Sequence, residues 1–197
     1  IEVFDPFVAG REEAVRQGVA PERVMEQDKI VAQHKNPYGE NLARKLDGNV
    51  PSRLVRNDAP VMFFVGCTTT QFLDKNIKAA IQLLEAVGAD FGVYVDEHIC
   101  CGYPSYALGH RERFEEIARN VASKLANAGT IVTVCPTCAS TLKQTYPKCG
   151  INLESNVVHI SQFLHRHLKS GKLKLKKKAG RVLYHDPCHL GRHLGVY

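Results

Sequence analysis

Short, unbroken apolar runs, each handing over to a stretch with helical spacing, leave this chain very few architectures. Val61-Met62-Phe63-Phe64-Val65 has no polar face, the composition of a strand covered on both sides. Phe91 to Val95, Thr130 to Val134 and Val157 to Ile160 repeat the signal, and Arg181 to His185 reads as a fifth strand. Amphipathic stretches lie between them. From about Asp74, the residues Ile77, Ala80, Ile81, Leu84 and Val87 recur at helical spacing, and Gly88 closes the helix. From Arg111 to Ala128, one face collects Phe114, Ile117, Ala118, Val121 and Leu125. A shorter helix is expected from Ala139 to Thr145, and Ser161 is expected to cap another that runs to about Lys169. Strand–helix alternation predicts an α/β fold, a doubly wound parallel sheet with helices on both faces. Such sheets hold their ligands in a crevice at the carboxyl ends of the strands.

A mainly helical segment precedes this unit. Pro6 to Gln17 and a stretch opening at Pro21 and running toward His34 have helical patterning, with proline in the first turn of the second. Asn36-Pro37-Tyr38-Gly39 ends it as a turn, and 48–60 is polar and irregular, placing a module boundary near residue 58. A shift of 121 residues aligns Val61-Met62-Phe63 with Val182-Leu183-Tyr184 and Cys67 with Cys188, a faint internal repeat. The chain starts at Ile1 rather than Met and stops at Tyr197 soon after that second signal, so a fragment of a longer protein is expected.

The formal charge of +6 does not point to nucleic acid. Residues 169–178 carry six lysines and no acid; without them the chain holds 20 basic and 20 acidic residues. One solvated loop makes the chain basic, and no arginine–aromatic interleaving accompanies it. No apolar run approaches the roughly 20 residues of a membrane span. Seven cysteines, an odd number, with no recognisable secretory signal place the expected location in the cytoplasm, where clustered thiols serve metals or catalysis.

Five of those seven form one split pattern at strand ends: Cys67, then Cys100-Cys101-Gly102, then Cys135-Pro136-Thr137-Cys138. Topology alone would gather them along one edge of the sheet. The adjacent pair discriminates between chemistries. Neighbouring Cα atoms stand about 3.8 Å apart, below the roughly 4.4 Å that an unstrained disulfide needs. Two adjacent thiols also fit poorly as independent ligands of one tetrahedral ion, whereas a multi-iron cluster offers neighbouring metal atoms. Three readings compete: an iron–sulfur site, a zinc-binding structural or interaction module built from four of the thiols, and a dithiol–disulfide oxidoreductase working through Cys135 and Cys138. Cys149 lies outside the pattern and reads as structural or exposed. Cys188, within His185-Asp186-Pro187-Cys188-His189, looks functional but has no partner set in this chain. His98, His185, His189 and His193 are candidate metal or proton-transfer groups, and Asp96-Glu97 stands beside His98.

At these residues the chain resembles the cysteine-rich "CCG" domain found in the B and D components of heterodisulfide reductases. The same domain occurs in iron–sulfur subunits of anaerobic glycerol-3-phosphate dehydrogenase, glycolate oxidase and lactate-utilisation complexes. The resemblance implies that Cys67, Cys100, Cys101, Cys135 and Cys138 bind a [4Fe–4S] cluster, of a non-cubane kind in heterodisulfide reductase. It implies a first module over 59–180 and a second, truncated one opened by Cys188 over 181–197. Residues 1–58 would be a helical linker after a ferredoxin-like domain, since Asn36 to Gly39 resembles the linker in longer members. The second module's own CCG and C-x-x-C are missing here, so a site built across both modules would be incomplete and would leave the fragment without a cluster. The implied activity is an iron–sulfur oxidoreductase. Its implied partners are a flavoprotein or membrane electron carrier, with a small-molecule disulfide or a 2-hydroxy acid pathway substrate. Its implied place is the cytoplasm, peripheral on the inner face of the membrane through partner subunits.

Overall fold

A computed structural model describes residues 4–175 and 180–197. Helices α1 (Phe4–Arg16), α2 (Glu22–His34) and α3 (Leu42–Asp47) come first, followed by a single 3₁₀ turn at Ser52–Leu54. The α/β unit then runs β1 (Val61–Phe64), α4 (Cys67–Phe72), α5 (Asp74–Ala86), β2 (Phe91–Val93), α6 (Tyr103–Leu108), α7 (Arg111–Lys124) and β3 (Thr130–Thr133). It continues through α8 (Pro136–Ser140), a π-helical turn at Thr141–Thr145, α9 (Tyr146–Lys148), β4 (Asn156–His159), α10 (Ile160–Lys169) and α11 (Cys188–Gly191). The expected alternation is present, and the four strands form one all-parallel sheet in the order β2-β1-β3-β4.

That order explains why both faces are covered. The chain leaves β1 in one direction to reach β2, then crosses back over β1 to reach β3. With crossovers of one hand, the reversal puts α5 and α7 on opposite sides. Side chains alternate accordingly. Met62, Phe64 and Ile131 join Phe114, Ile117 and Val121 of α7, with Leu142 and Tyr146, in one buried cluster. Phe63, Val65, Val93 and Val132 join Ile77, Ile81 and Leu84 of α5, with Phe163 of α10, in the other. Each fully buried Phe contributes on the order of 2–3 kcal/mol relative to exposure. The preceding helices share these cores: Val8 and Val31 enter the first cluster, and Leu42 and Leu46 the second.

Several local readings are corrected. The helix expected to reach Ala128 stops as α-helix at Lys124. The helix expected at 139–145 begins earlier, at Pro136, and passes through the π-helical turn into Tyr146–Lys148. Proline is tolerated there because Pro147 falls in the first turn of α9. The cap of α10 is His159 rather than Ser161: its ring accepts from Ser161 N, and Gln162 Oε1 accepts from His159 N at 3.1 Å. The fifth strand expected at 181–185 has no pairing among the described residues, and Val182 and Leu183 are 96% and 99% exposed. A strand exists through its ladder, and an apolar run without a neighbouring edge stays irregular. The basic loop at 169–178 lies partly outside the described residues. Among the described residues, no helix is long and apolar enough to cross a membrane.

Candidate metal centre

The sheet's switch point falls between β1 and β3, which are neighbours although their continuations diverge. Both strands end in cysteine loops there. After β1, Gly66 adopts φ 83°, ψ 155°, and Cys67 begins α4. After β3, Cys135 caps α8 and Cys138 lies within it. The two loops are in close contact: a Cβ placed on Gly66 would lie 2.8 Å from Cys138 Sγ. Only glycine permits both that dihedral and that approach. The remaining loop, second in chain order, follows β2. Gly102 takes the left-handed conformation at φ 82°, ahead of α6, and a Cβ there would meet the Phe114 ring at 2.9 Å. Tyr146 donates its hydroxyl to Cys101 O at 3.1 Å, tying this loop to the helical segment after Cys138.

The five sulfurs form a continuous series. Cys67 Sγ lies 3.5 Å from Cys100 Sγ. Electrostatic interaction extends from Cys100 to Cys101, from Cys101 to Cys138 and from Cys138 to Cys135. Cys67, Cys100, Cys101 and Cys138 are at most 5% exposed, Cys135 is half-buried, and all five are free thiols. Hydrogen bonding within the series divides them. Cys101 is held well below the usual thiol range by its hydrogen bond from Cys100, by Cys138 and by the Tyr103 backbone N–H, which together outweigh burial. Cys135 is lowered in the same way, first by Cys138. The donors Cys100 and Cys138 are pushed up, each first by its bond to Cys101. Gly102 N also donates to Cys100 Sγ at 3.4 Å. Thr141 Oγ1, fully buried and facing Cys101, has no hydrogen-bond partner of normal geometry. An orphaned hydroxyl beside a row of thiols suits a group that would bring further acceptors, as sulfide-containing clusters do. Among the described residues, no three His, Cys, Asp or Glu side chains are grouped as a single ion would need.

Other groups line this end of the sheet. Tyr38 hydrogen-bonds Thr68 Oγ1 at 2.7 Å, next to Cys67, and its ring packs edge-on against Phe72. His159 at the end of β4 donates from Nε2 to Val134 O at 3.1 Å, directly before Cys135. His98 is buried in the loop ahead of Cys100. Its backbone N donates to Asp96 Oδ1 at 2.9 Å, and Lys124 Nζ holds both Asp96 oxygens at 2.6 Å. Burial opposes the charge on Asp96, but Lys124 and His98 outweigh it, so this carboxyl sits below its usual range.

The remaining sequence candidates stand outside the series, with Cys188 and His189 brought against α8. Cys188 is exposed at the start of α11, which packs on α8. His189 Nδ1 lies 2.9 Å from Ser140 Oγ, and its ring meets Tyr103 edge-on and stacks on His193. His185 is exposed, and Cys149 is half-buried against the first apolar cluster. A cleft of about 700 Å³ between α1, α2 and α7 lies apart from the thiols. Its Arg111 and Arg113 are paired with Glu12, Glu115, Asp28 and Glu116. Sequence reasoning missed Tyr38, Thr68, Thr141 and His159. Gly66 and Gly102, beside their cysteines, carried a readable signal.

Comparison with known proteins bears on this geometry. Residues 61–143 match the CCG family, described as a cysteine-rich domain. The D component of the dihydromethanophenazine:CoB–CoM heterodisulfide reductase of Methanosarcina mazei is 30% identical over 205 aligned positions, covering all of this chain and 50% of that protein. The B component of the fumarate reductase (CoM/CoB) of Methanothermobacter marburgensis is 37% identical over 134 positions, covering 68% of this chain and 26% of its own length. The EtfAB:quinone oxidoreductase of Syntrophomonas wolfei is 34% identical over 142 positions, covering 69% and 20%. The chain thus spans about half the length of the heterodisulfide reductase components it matches. No solved structure matches it.

Proposed function

We propose, for a chain that is a heterodisulfide reductase-like iron–sulfur protein with a cysteine-rich CCG domain, that Cys67, Cys100, Cys101, Cys135 and Cys138 together hold a [4Fe–4S] cluster. The observation that carries the reading is the set of five free thiols, four of them buried, on the loops that follow β1, β2 and β3, with Cys67 Sγ 3.5 Å from Cys100 Sγ. When bound, such a cluster accepts and releases electrons one at a time. The chain's own residues do the rest. Neighbouring thiols lower Cys101 and Cys135 below the usual thiol range, the direction a metal ligand requires. Gly102 N–H donates to Cys100 Sγ, the Thr141 hydroxyl, unpartnered by the protein, would donate to the cluster, and the two apolar clusters keep water from the inner side of the thiols.

In this reading the chain is the electron-carrying part of an oxidoreductase, exchanging electrons with a small-molecule disulfide or a partner flavoprotein. The names of its relatives, which include a CoB–CoM heterodisulfide reductase and an EtfAB:quinone oxidoreductase, support that class of partner. Attachment to the inner face of a membrane would come through partner subunits. Residues 59–180 are the first module, 1–58 join it to a ferredoxin-like domain, and 181–197 open a second module with Cys188 as its first ligand.

Anaerobic purification with iron and sulfide analysis and a visible spectrum tests the assignment. Bound iron and sulfide with broad visible absorption are expected. Each of the five Cys→Ser changes should weaken iron retention by more than the roughly 10–100-fold typical of losing an outer partner, while Cys149→Ser retains it. Colourless protein with stoichiometric zinc would replace this reading with the structural module. Metal-free protein with a titratable Cys135–Cys138 disulfide would replace it with the dithiol enzyme.

A further inference from the structure

The turn at 36–39 reads in sequence as the end of a helix, yet it is built with unusual care. Asn36 is 1% exposed, and its amide donates to His34 O at 2.7 Å and to Glu40 O at 2.8 Å. Its Oδ1 accepts from Tyr38 N at 2.9 Å. Gln27 Nε2 donates to Pro37 O at 2.9 Å, and Lys35 accepts a left-handed φ of 57° to let the turn form. A buried amide with its donors and acceptor satisfied specifies one backbone path. That path delivers Tyr38 to the cysteine loop after β1.

There the ring stands edge-on to Phe72, with centroids 5.3 Å apart, and packs on the apolar cluster that contains Cys67 and Cys100. Its hydroxyl lies 2.7 Å from Thr68 Oγ1, which is 4.0 Å from Cys67 Sγ. Cys67 is 5% exposed although the next residue, Thr68, is open to solvent. If Tyr38 donates to Thr68 Oγ1, the threonine's single proton is free to turn toward the sulfur.

We infer that Tyr38 is a positioning residue of this site. Its hydroxyl holds the Thr68 hydroxyl against Cys67 Sγ, and its ring covers the outer edge of the crevice. The helical segment before β1 is then part of the redox site rather than a passive connection. This rests on Cys67 being a cluster ligand. A hydrogen bond to a ligand sulfur and exclusion of solvent both act on a cluster's reduction potential.

Two measurements on the full chain test it. In the iron-loaded protein, Tyr38→Phe keeps the ring and removes the hydroxyl, and Thr68→Val removes the donor. Both should move the reduction potential in the negative direction, with iron content unchanged. The double variant should shift no further than either alone, because both act through one bond. Wild-type potentials in both single variants would overturn the hydrogen-bond role. In the metal-free, reduced protein, iodoacetamide should alkylate Cys67 at least about tenfold faster in Tyr38→Ala and within about twofold of wild type in Tyr38→Phe, since the reaction follows thiol exposure. An unchanged rate in Tyr38→Ala would overturn the covering role, and Tyr38→Leu serves in the same assay if the alanine variant does not fold. Absence of iron from the wild type would sink the cluster assignment, while the alkylation rate would still decide whether Tyr38 covers Cys67.

Discussion

Glycines fix the thiols as firmly as the cysteines themselves do. Gly66 combines a dihedral pair open essentially to glycine alone with an approach of 2.8 Å to Cys138 Sγ for any added Cβ. Gly88 offers a control, since its φ is also positive, at 68°, but nothing lies within 4 Å of its Cβ position. Alanine at either position should cost about 1–3 kcal/mol of backbone strain, measurable as a lower urea midpoint. Only Gly66→Ala should also displace Cys138 and lower the iron content. Equal iron retention by the two variants would mean that contact between the first and third cysteine loops is dispensable. In the sequence, Gly66 is visible only as the end of a strand and Gly102 only as part of the loop with the adjacent cysteines. Tyr38 and Thr141 are invisible there, because neither a turn tyrosine nor a threonine in a polar stretch has a spacing that ties it to a distant cysteine. Their place comes from packing between segments some 30–40 residues apart, and pattern reading sees only local periodicity.

Secondary structure was legible where burial imposed a period and hidden where it did not. The four strands of the sheet stand within two residues of their expected positions at either end, because each centres on apolar residues buried in the two clusters. The short helices α4 and α6 gave no such signal. Cys67–Phe72 contains three consecutive threonines, poor helix formers, and it is helical because the loop must turn back over the crevice. The His159 cap was likewise hidden, as its value depends on a carbonyl in another strand. That cap predicts a pH dependence. Burial, opposed only by the bond to Val134 O, holds the imidazole below its ordinary value of 6.5. Nε2 donates to that carbonyl while Nδ1 accepts from Ser161 N at 3.3 Å, an arrangement that needs the neutral ring. Between the folded and unfolded pKa values the unfolded chain binds more protons, so stability rises with pH through that window. The contribution is complete above about 6.5 and disappears as pH falls through the lower, folded value. His189 is also lowered, first by burial, and acts with the same sign. The informative quantity is therefore the difference between wild type and His159→Asn, which keeps a capping side chain. The urea midpoint of the wild type should fall more steeply on acidification; parallel curves would remove His159 from the account.

The strand order was the part of the architecture that no stretch of sequence contained. Alternation requires a parallel sheet, but it does not say which strand lies beside which, and the order β2-β1-β3-β4 is what sets the first and third cysteine loops side by side. This topology divides the labour between core and site. Phe63, Phe64, Phe114, Ile77 and Leu84 are fully buried in two clusters set by the sheet and its helices, whereas the thiols at their edge come from loops separated by dozens of residues. A ligand that binds only the folded state at about 1,000 times its Kd adds about 4 kcal/mol, and here that stabilisation would act on the loops it ties together. Removal of iron by an anaerobic chelator should therefore leave the sheet folded and loosen its carboxyl edge. Amide exchange is expected to accelerate at 66–72, 99–108 and 135–145. Protection should persist across β1, β3 and the inward face of α5, because local opening there would expose core side chains. Mass-spectrometric exchange before and after chelation distinguishes this from its alternative. Uniform loss of protection throughout the chain would mean that the apolar layers do not hold the sheet without metal, and that the cysteine loops are part of the fold's own foundation.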